Sequence, residues 1–380
     1  MTKPLQRSCL LVSAALVGCS SDVDLGDVQQ GQDNLPSSPI VQFAPSPLGM
    51  CGLHATGEVG CFHAGKPATA GVIAKFDRPM RLAGAGSQGP MCTVGWYGQL
   101  SCSGYSTDGR VGSLKTMRWD KNFVDVKLGF FGGCVLIEEG SVACWGTVSP
   151  SVELRGGSID FGPASAEVVR LPRPAVQIAV GENHACAVLD DGTVYCHGNN
   201  AYGQVNTELG DGHDYDFTPP VAVPGIIDAK QVAVTAHATC VLHASGKVTC
   251  FGAADQTGLG PVSAPSAHGQ PTELEGVTDI GSGRLSVCAR RAGITGGDLY
   301  CWGSNDCGVL DGNPLACDGY ELQLLERPTL VGGMHKVQTF GLSDNMLCAN
   351  DGIFSWCLGG RYDYQAAGAV GHWGPYVVPF

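Results

Sequence analysis

From about residue 40 onward, short apolar and β-branched runs alternate with turn-forming residues. The segments VVRLPRPAVQIAVGENHACAVL and PVAVPGIIDAKQVAVTAHATCVL show the pattern: each holds two runs of strand length with apolar residues at alternate positions on both faces. Strands buried on both faces belong to sheets stacked between other sheets. The 56 glycines and 22 prolines in 380 residues, with 15% charged side chains, add tight turns rather than long helices. The chain is therefore all-β, and its length suits a single barrel or propeller.

The cysteines give the runs a period. Apart from Cys9 and Cys19, sixteen fall into pairs: Cys51/Cys61, Cys92/Cys102, Cys134/Cys144, Cys186/Cys196, Cys240/Cys250, Cys288/Cys301, Cys307/Cys317 and Cys348/Cys357. Six of the eight pairs are ten residues apart, and in five of them a glycine follows the first cysteine by six: Gly57, Gly98, Gly140, Gly192 and Gly246. In the segment from Cys186 to Cys196, Asp190-Asp191-Gly192 forms a three-residue hairpin loop, a type I turn closed by a left-handed glycine. Leu189 then faces Thr193 in a hydrogen-bonded pair. Counting outward, Cys186 meets Cys196 at a non-hydrogen-bonded pair, where Cα atoms come close enough for a disulfide. Cys348 to Cys357 is one residue shorter, and a two-residue loop of Gly352 and Ile353, glycine first as in a type II′ turn, restores the same opposition. The turn between Cys288 and Cys301 is not fixed by this count. Zinc sites use short C-x2-4-C spacings, which this chain lacks, so the pairs are expected to be disulfides.

First cysteines of the hairpins stand at 51, 92, 134, 186, 240, 288 and 348, separations of about 41 to 60 residues. That is the scale of one four-stranded propeller blade, and it predicts seven blades over residues 39–380. A strand like PVAVPG (220–225) is expected to open each internal unit. Blade one lacks one before Ile40, so the C-terminal run around Tyr376 to Pro379 is predicted to close the ring by pairing in blade one, with Ile40 to Ala44 and the Cys51/Cys61 hairpin.

The N terminus reads differently. Lys3 and Arg7 precede the apolar stretch CLLVSAALVG, too short to span a membrane and right for a signal peptide of residues 1–18. Leu16-Val17-Gly18-Cys19 resembles the lipobox of bacterial lipoproteins, which implies cleavage before Cys19 and acylation of its thiol. Residues 19–38 are polar, acidic and poor in aromatics, a composition expected to form a flexible tether. Ser20 after the lipid site resembles an outer-membrane address. The expectation is an exported bacterial outer-membrane lipoprotein, periplasmic or surface facing, in an oxidising compartment that suits disulfides.

The repeat itself resembles the regulator of chromosome condensation family. In blade four, AVGENHACAVLDDGTVYCHGNNAYGQ carries Gly181, His184, Gly192, Gly198, Asn200, Gly203 and Gln204, with His197 where the family usually has tryptophan. Blade six keeps Trp302-Gly303 and Gly308, and blade three keeps Trp145-Gly146. The resemblance implies a seven-bladed propeller and leaves function open. Its founding member promotes nucleotide exchange on a small GTPase, and a secreted seven-bladed relative inhibits β-lactamase.

Charge and chemistry narrow the function classes. The formal charge of −13 becomes −15 once the two cations Lys3 and Arg7 leave with the leader, which argues against nucleic acid. No nucleophile elbow, zinc-binding helix or phosphate loop is present. His184 and His237 read as packing residues within the repeat, and Trp145, Phe251 and Trp302 as blade core. Two acidic loops, Glu208, Asp211, His213, Asp214 and Asp216, and Asp306, Asp311, Asn313 and Asp318, carry oxygen ligands but not the spacing of a calcium loop. No metal or cofactor is expected. Loop lengths vary between blades while the hairpins stay constant, so the expected role is a monomeric scaffold binding a protein or extracellular ligand through its interblade loops. The alternatives are an envelope lyase or hydrolase with a site at the central channel, and a purely structural envelope protein.

Overall fold

The computed structural model describes residues 39–46, 49–63, 72–75, 79–84, 90–103, 115–117, 121–150, 166–208, 217–253, 256, 266–293, 296–305, 309–310, 324–332, 334, 336–344, 346–359 and 376–378. They form seven antiparallel sheets of four strands, each taken from four consecutive strands of the chain. The innermost strands are Ile40–Ser46, Pro79–Gly84, Phe123–Leu128, Ala175–Val180, Ala229–Val234, Val277–Ser282 and Thr339–Leu342, and each touches the inner strands of its two neighbours. The two strands of the cysteine hairpin come next. Outermost lie Val72–Lys75, Lys115–Met117, Glu167–Val169, Phe217–Ala222, Ser266–Pro271, Leu324–Leu330 and Tyr376–Val378.

This order corrects the predicted closure. The PVAVPG type of strand ends a blade rather than opening one: Cys196 in the blade-four hairpin pairs with Val221. Blade one has its own outer strand, since Glu58 and Val59 pair with Lys75 and Ala74, so its hairpin has no free edge to offer. The C-terminal strand instead pairs within blade seven, Trp356 opposite Val377. The first and last blades meet through packed side chains. Ile40, Phe43 and Met50 form a buried cluster with Met346, Cys348 and Cys357, and Gly341 permits the approach because a Cβ there would lie 2.5 Å from the Phe43 side chain.

The hairpins pair as their spacing requires. The Leu189 N–H donates to Thr193 O (2.9 Å), Gly192 has φ 81°, and Cys186 opposes Cys196 with Cα atoms 4.1 Å apart, the short distance of a non-hydrogen-bonded pair. In blade seven Asp351 N–H donates to Phe354 O (3.1 Å) around Gly352, whose φ is 94°. The Cys288–Cys301 ladder runs on to Gly293 opposite Gly296, so its longer spacing keeps the same parity. All seven disulfides among the described residues, Cys51–Cys61, Cys92–Cys102, Cys134–Cys144, Cys186–Cys196, Cys240–Cys250, Cys288–Cys301 and Cys348–Cys357, have Cα atoms 4.0–4.1 Å apart. Cys307, Cys317, Cys19 and the proposed leader and tether lie outside the described residues.

Buried apolar side chains fall into seven clusters among the described residues, one at each seam between neighbouring blades. Polar contacts add to several of the seams. At the hairpin turns, Gly98 O, Gly140 O, Gly192 O and Gly246 O accept from the N–H of Phe123, Ala175, Ala229 and Val277, where the next blade's inner strand begins. The turns therefore all lie on one face, here called the tip face. Further along, Gln177 of blade four reaches Val232 of blade five with both ends of its amide: Val232 N–H donates to Oε1 (2.9 Å) and Nε2 donates to Val232 O (3.1 Å). Gln42 holds Leu82 of blade two in the same way, at 3.1 and 2.7 Å. Gln231 accepts from Ile280 N–H (3.0 Å). These amides bridge inner strands that share no sheet.

Two buried histidines finish the seams around blade four. His184 Nε2 and the Thr239 hydroxyl are 2.9 Å apart, and Thr239 donates to Gln204 O (2.7 Å). His197 Nε2 donates to Val148 O (2.9 Å), in the place that Trp145 and Trp302 occupy in their own blades. Burial pushes the His184 imidazole down to about 3 and His197 to about 4.

Two predictions follow from the seams. Gln177→Leu leaves the Val232 peptide unpaired and should cost about 2 kcal/mol, read as a lower denaturant midpoint; an unchanged midpoint would show that the amide bridge contributes nothing. The histidines act through pH. Their folded pKa values lie below the ordinary value near 6.5, so the unfolded chain takes up protons first and stability is lost as pH falls below about 6.5, by about 1.4 kcal/mol per unit for each group. His197→Phe should reduce the loss of melting temperature between pH 7.5 and 5.0, and an equal loss in both proteins would refute the assignment.

Candidate functional site

The inner strands end on the face opposite the tips, and there all seven blades line one depression: Pro45, Gly84, Gly129, Gly181, Thr235, Gly283 and Ser343 each contribute. Small residues let the rim draw in. A Cβ on Gly129 would lie 1.8 Å from Gly181 O, and one on Gly181 would lie 2.1 Å from Thr235 O, so only glycine allows these backbones to touch. The free room left is about 80 Å³. That holds a few waters or a single side chain, well below the space of a small-molecule site.

The chemistry sits around this mouth. Arg284 of blade six reaches across blade five, where Ala236 N–H donates to Arg284 O (2.7 Å), and its Nε donates to Glu182 Oε2 of blade four (3.0 Å). The same guanidinium lies 5.7 Å from the ring centre of Phe130 in blade three, and Phe130 packs edge-on against the exposed Phe131 at 4.5 Å. Glu182 is fixed further because its own carbonyl accepts from the Thr147 hydroxyl (2.9 Å). On the same face the exposed Tyr202 lies against His237, ring centres 4.8 Å apart, while His237 also contacts Gln256. Blades three, four and six thus present two phenylalanines, a tyrosine and an arginine beside a nearly filled axis.

Deeper along the axis the charges are paired. Lys127 Nζ lies 3.3 Å from Asp125, and Arg290 lies 3.8 Å from Asp279. Burial pushes the Asp279 carboxyl up, against hydrogen bonding from Gln231 and the charges of Arg290 and Lys127.

The motif residues singled out in the sequence turn inward instead. Asn200 Oδ1 accepts from Val205 N–H (2.8 Å) and Asn206 N–H (3.0 Å), Gln204 Oε1 accepts from Tyr202 N–H (2.7 Å), and Asn305 accepts from Leu310 N–H (2.8 Å) in blade six. The Asn-x-x-Gly-Gln turn is consumed by its own backbone. Trp145, Phe251 and Trp302 are buried blade core, and His184 is a seam residue. Among the described residues no group of three or more His, Cys, Asp or Glu side chains could hold a metal ion. Asp211, His213, Asp214, Asp216, Asp306, Asp311, Asn313 and Asp318 lie outside the described residues, and Glu208 is within them. The mouth residues Phe130, Phe131, Glu182 and Arg284 had no repeat signature. Their one sequence signal is Phe130-Phe131 in a loop where the other blades place no phenylalanine, tyrosine or tryptophan.

Comparison with known proteins agrees with this geometry. The Regulator of chromosome condensation (RCC1) repeat matches residues 175–204, which run from the inner strand of blade four to Gln204. The regulator of chromosome condensation of Drosophila melanogaster is 28% identical over 149 residues, 39% of this chain, and the match spans only 26% of that protein's length. Among solved structures, human WBSCR16 superposes with a TM-score of 0.63 at 17% identity, covering 82% of this chain and 86% of the other. Prp20p of Saccharomyces cerevisiae, whose structure was described with its binding to Gsp1p and histones, superposes with a TM-score of 0.61 at 18% identity over 80% of each chain. At these identities the structures speak for the fold alone. With one repeat matched in sequence over residues 175–204 and the seven sheets in place, the chain carries a repeat of the regulator of chromosome condensation type and is similar in fold to propellers built from it.

Proposed function

We propose that this protein is an exported, lipid-anchored bacterial envelope scaffold that holds a protein partner against its mouth face and performs no catalysis. The mouth carries the reading. Its room of about 80 Å³ is too small for a polysaccharide or other sizeable substrate, while its rim offers exposed Phe131, Tyr202 and Arg284, residue types that anchor protein interfaces. The enzyme reading asks for ionisable groups from several blades meeting at one mouth. Glu182 and Arg284 do meet, but as an ion pair at 3.0 Å, which suits a fixed recognition surface better than a proton-transfer couple. Binding of protein partners also has precedent in the family, as the description of Prp20p with Gsp1p and histones indicates.

Photocrosslinking in intact cells, with p-benzoylphenylalanine in place of Phe131, tests the partner. A discrete adduct is expected, and Arg284→Ala should weaken its formation about tenfold, the effect of removing one interface anchor. Failure of every mouth position to crosslink, or adducts indifferent to Arg284→Ala, would overturn the proposed face. The anchor is tested separately: Cys19→Ala should move the protein from the membrane to the soluble fraction, and unchanged fractionation would exclude acylation at Cys19.

A further inference from the structure

The tip face is divided. On blades two and seven the hairpin turns expose large apolar side chains: Trp96 is 61% exposed, Tyr97 72%, Ile353 79% and Phe354 48%. Between them, the turn of blade one exposes only Ala55 and Thr56. In blade seven the single acid of the turn is folded back, with Asp351 Oδ1 accepting from the N–H groups of Ile353 (2.8 Å) and Phe354 (2.7 Å). Next along the ring from blade two, the turns of blades three and four carry Glu138, Glu139, Asp190 and Asp191, partly matched by Lys121 and Arg173. One arc of the face is therefore apolar and aromatic, and the arc beside it is charged.

Exposed clusters of this kind mark an interaction surface, because burying them removes apolar area from water at little cost in polar desolvation. What covers this one follows from where the chain arrives. The Ala55 N–H in the blade-one turn donates to Pro39 O (3.0 Å), so the segment preceding Ile40 joins the propeller on the tip face, between the two apolar turns. We infer that this arc, the turns of blades seven, one and two, rests on the lipid bilayer surface, with Trp96, Tyr97, Ile353 and Phe354 seated in its interface. The inference rests on the proposed lipid anchor at Cys19. Nineteen residues lie between Cys19 and Pro39, and a chain of that length can reach at most about 70 Å. A tether so short keeps the arc at high effective concentration near the bilayer.

The side chains fit that occupant. Tryptophan and tyrosine favour the boundary between headgroups and acyl chains, where an apolar ring and a polar edge are both satisfied, and isoleucine and phenylalanine favour the layer beneath. The acidic turns of blades three and four are repelled by anionic headgroups, and the ring leans onto its apolar side. The mouth then opens away from the membrane.

The test removes its dependence on acylation. The mature chain, with a histidine tag in place of Cys19, is tethered to vesicles of phosphatidylethanolamine and phosphatidylglycerol containing nickel-chelating lipid, with or without brominated acyl chains. Brominated lipid should quench part of the tryptophan emission, and Trp96→Phe should abolish that part while leaving the melting curve unchanged. Adding Ile353→Asp to the wild-type chain should also reduce the quenching, through loss of seating rather than loss of the reporter. Equal emission on brominated and plain vesicles would overturn the inference whatever Cys19→Ala shows in cells. Sedimentation of the untagged soluble chain as a dimer that Ile353→Asp dissociates would assign the arc to a second copy, and would overturn it as well.

Discussion

At the hairpin turns of blades two to five a missing Cβ serves two geometric needs. The left-handed φ of Gly192, 81°, closes the three-residue loop and so sets the parity that brings Cys186 opposite Cys196. The same absence lets the turn touch its neighbour, since a Cβ on Gly192 would lie 2.7 Å from Ile227 O, and the Gly192 carbonyl accepts the first N–H of the next inner strand. Staple and seam thus depend on one atom that is not there. Alanine at this position would strain the turn and press on blade five together, so the spacing of cysteines and the spacing of blades cannot vary independently.

That coupling explains what the sequence makes legible. Parity along a hairpin is local arithmetic, and it carried from Gly192 and the Cys186/Cys196 pair to the shorter and longer hairpins of blades seven and six. A ring of repeats, by contrast, has no beginning in its own pattern. The run Pro220 to Gly225 stands between two hairpins, and strand propensity is equal whether it pairs backward with Cys196 or forward with the next blade; only the coordinates show Val221 opposite Cys196. The amide bridges of Gln42, Gln177 and Gln231 were hidden for another reason. Glutamine at a strand position carries no local signature, and its partner lies about 40 to 55 residues away in the chain. The mouth is similar, since Arg284 and Glu182 are 102 residues apart and meet only in the folded ring.

The two faces of the ring differ in how their chemistry is held. On the mouth face, Phe130, Glu182 and Arg284 are fixed by contacts between blades and form one continuous rim, an arrangement that is stiff before anything binds. On the tip face each turn belongs to one hairpin and is anchored by its own disulfide. Its side chains can change without disturbing the ring, which is why neighbouring tips can be aromatic in one blade and acidic in the next.

Closure without strand exchange has a consequence for how the protein comes into being. Every blade is complete within its own stretch of chain, and every staple among the described residues joins cysteines only nine to thirteen positions apart. As the polypeptide emerges from a ribosome or a translocation pore, each hairpin can therefore oxidise before the next pair of thiols appears, with little opportunity for mispairing. Such a chain has low contact order for an all-β protein and can gather its sheets sequentially. The joining of blade seven to blade one is the exception: Phe43 and Met346 must wait for the entire molecule, so assembly ends at that seam.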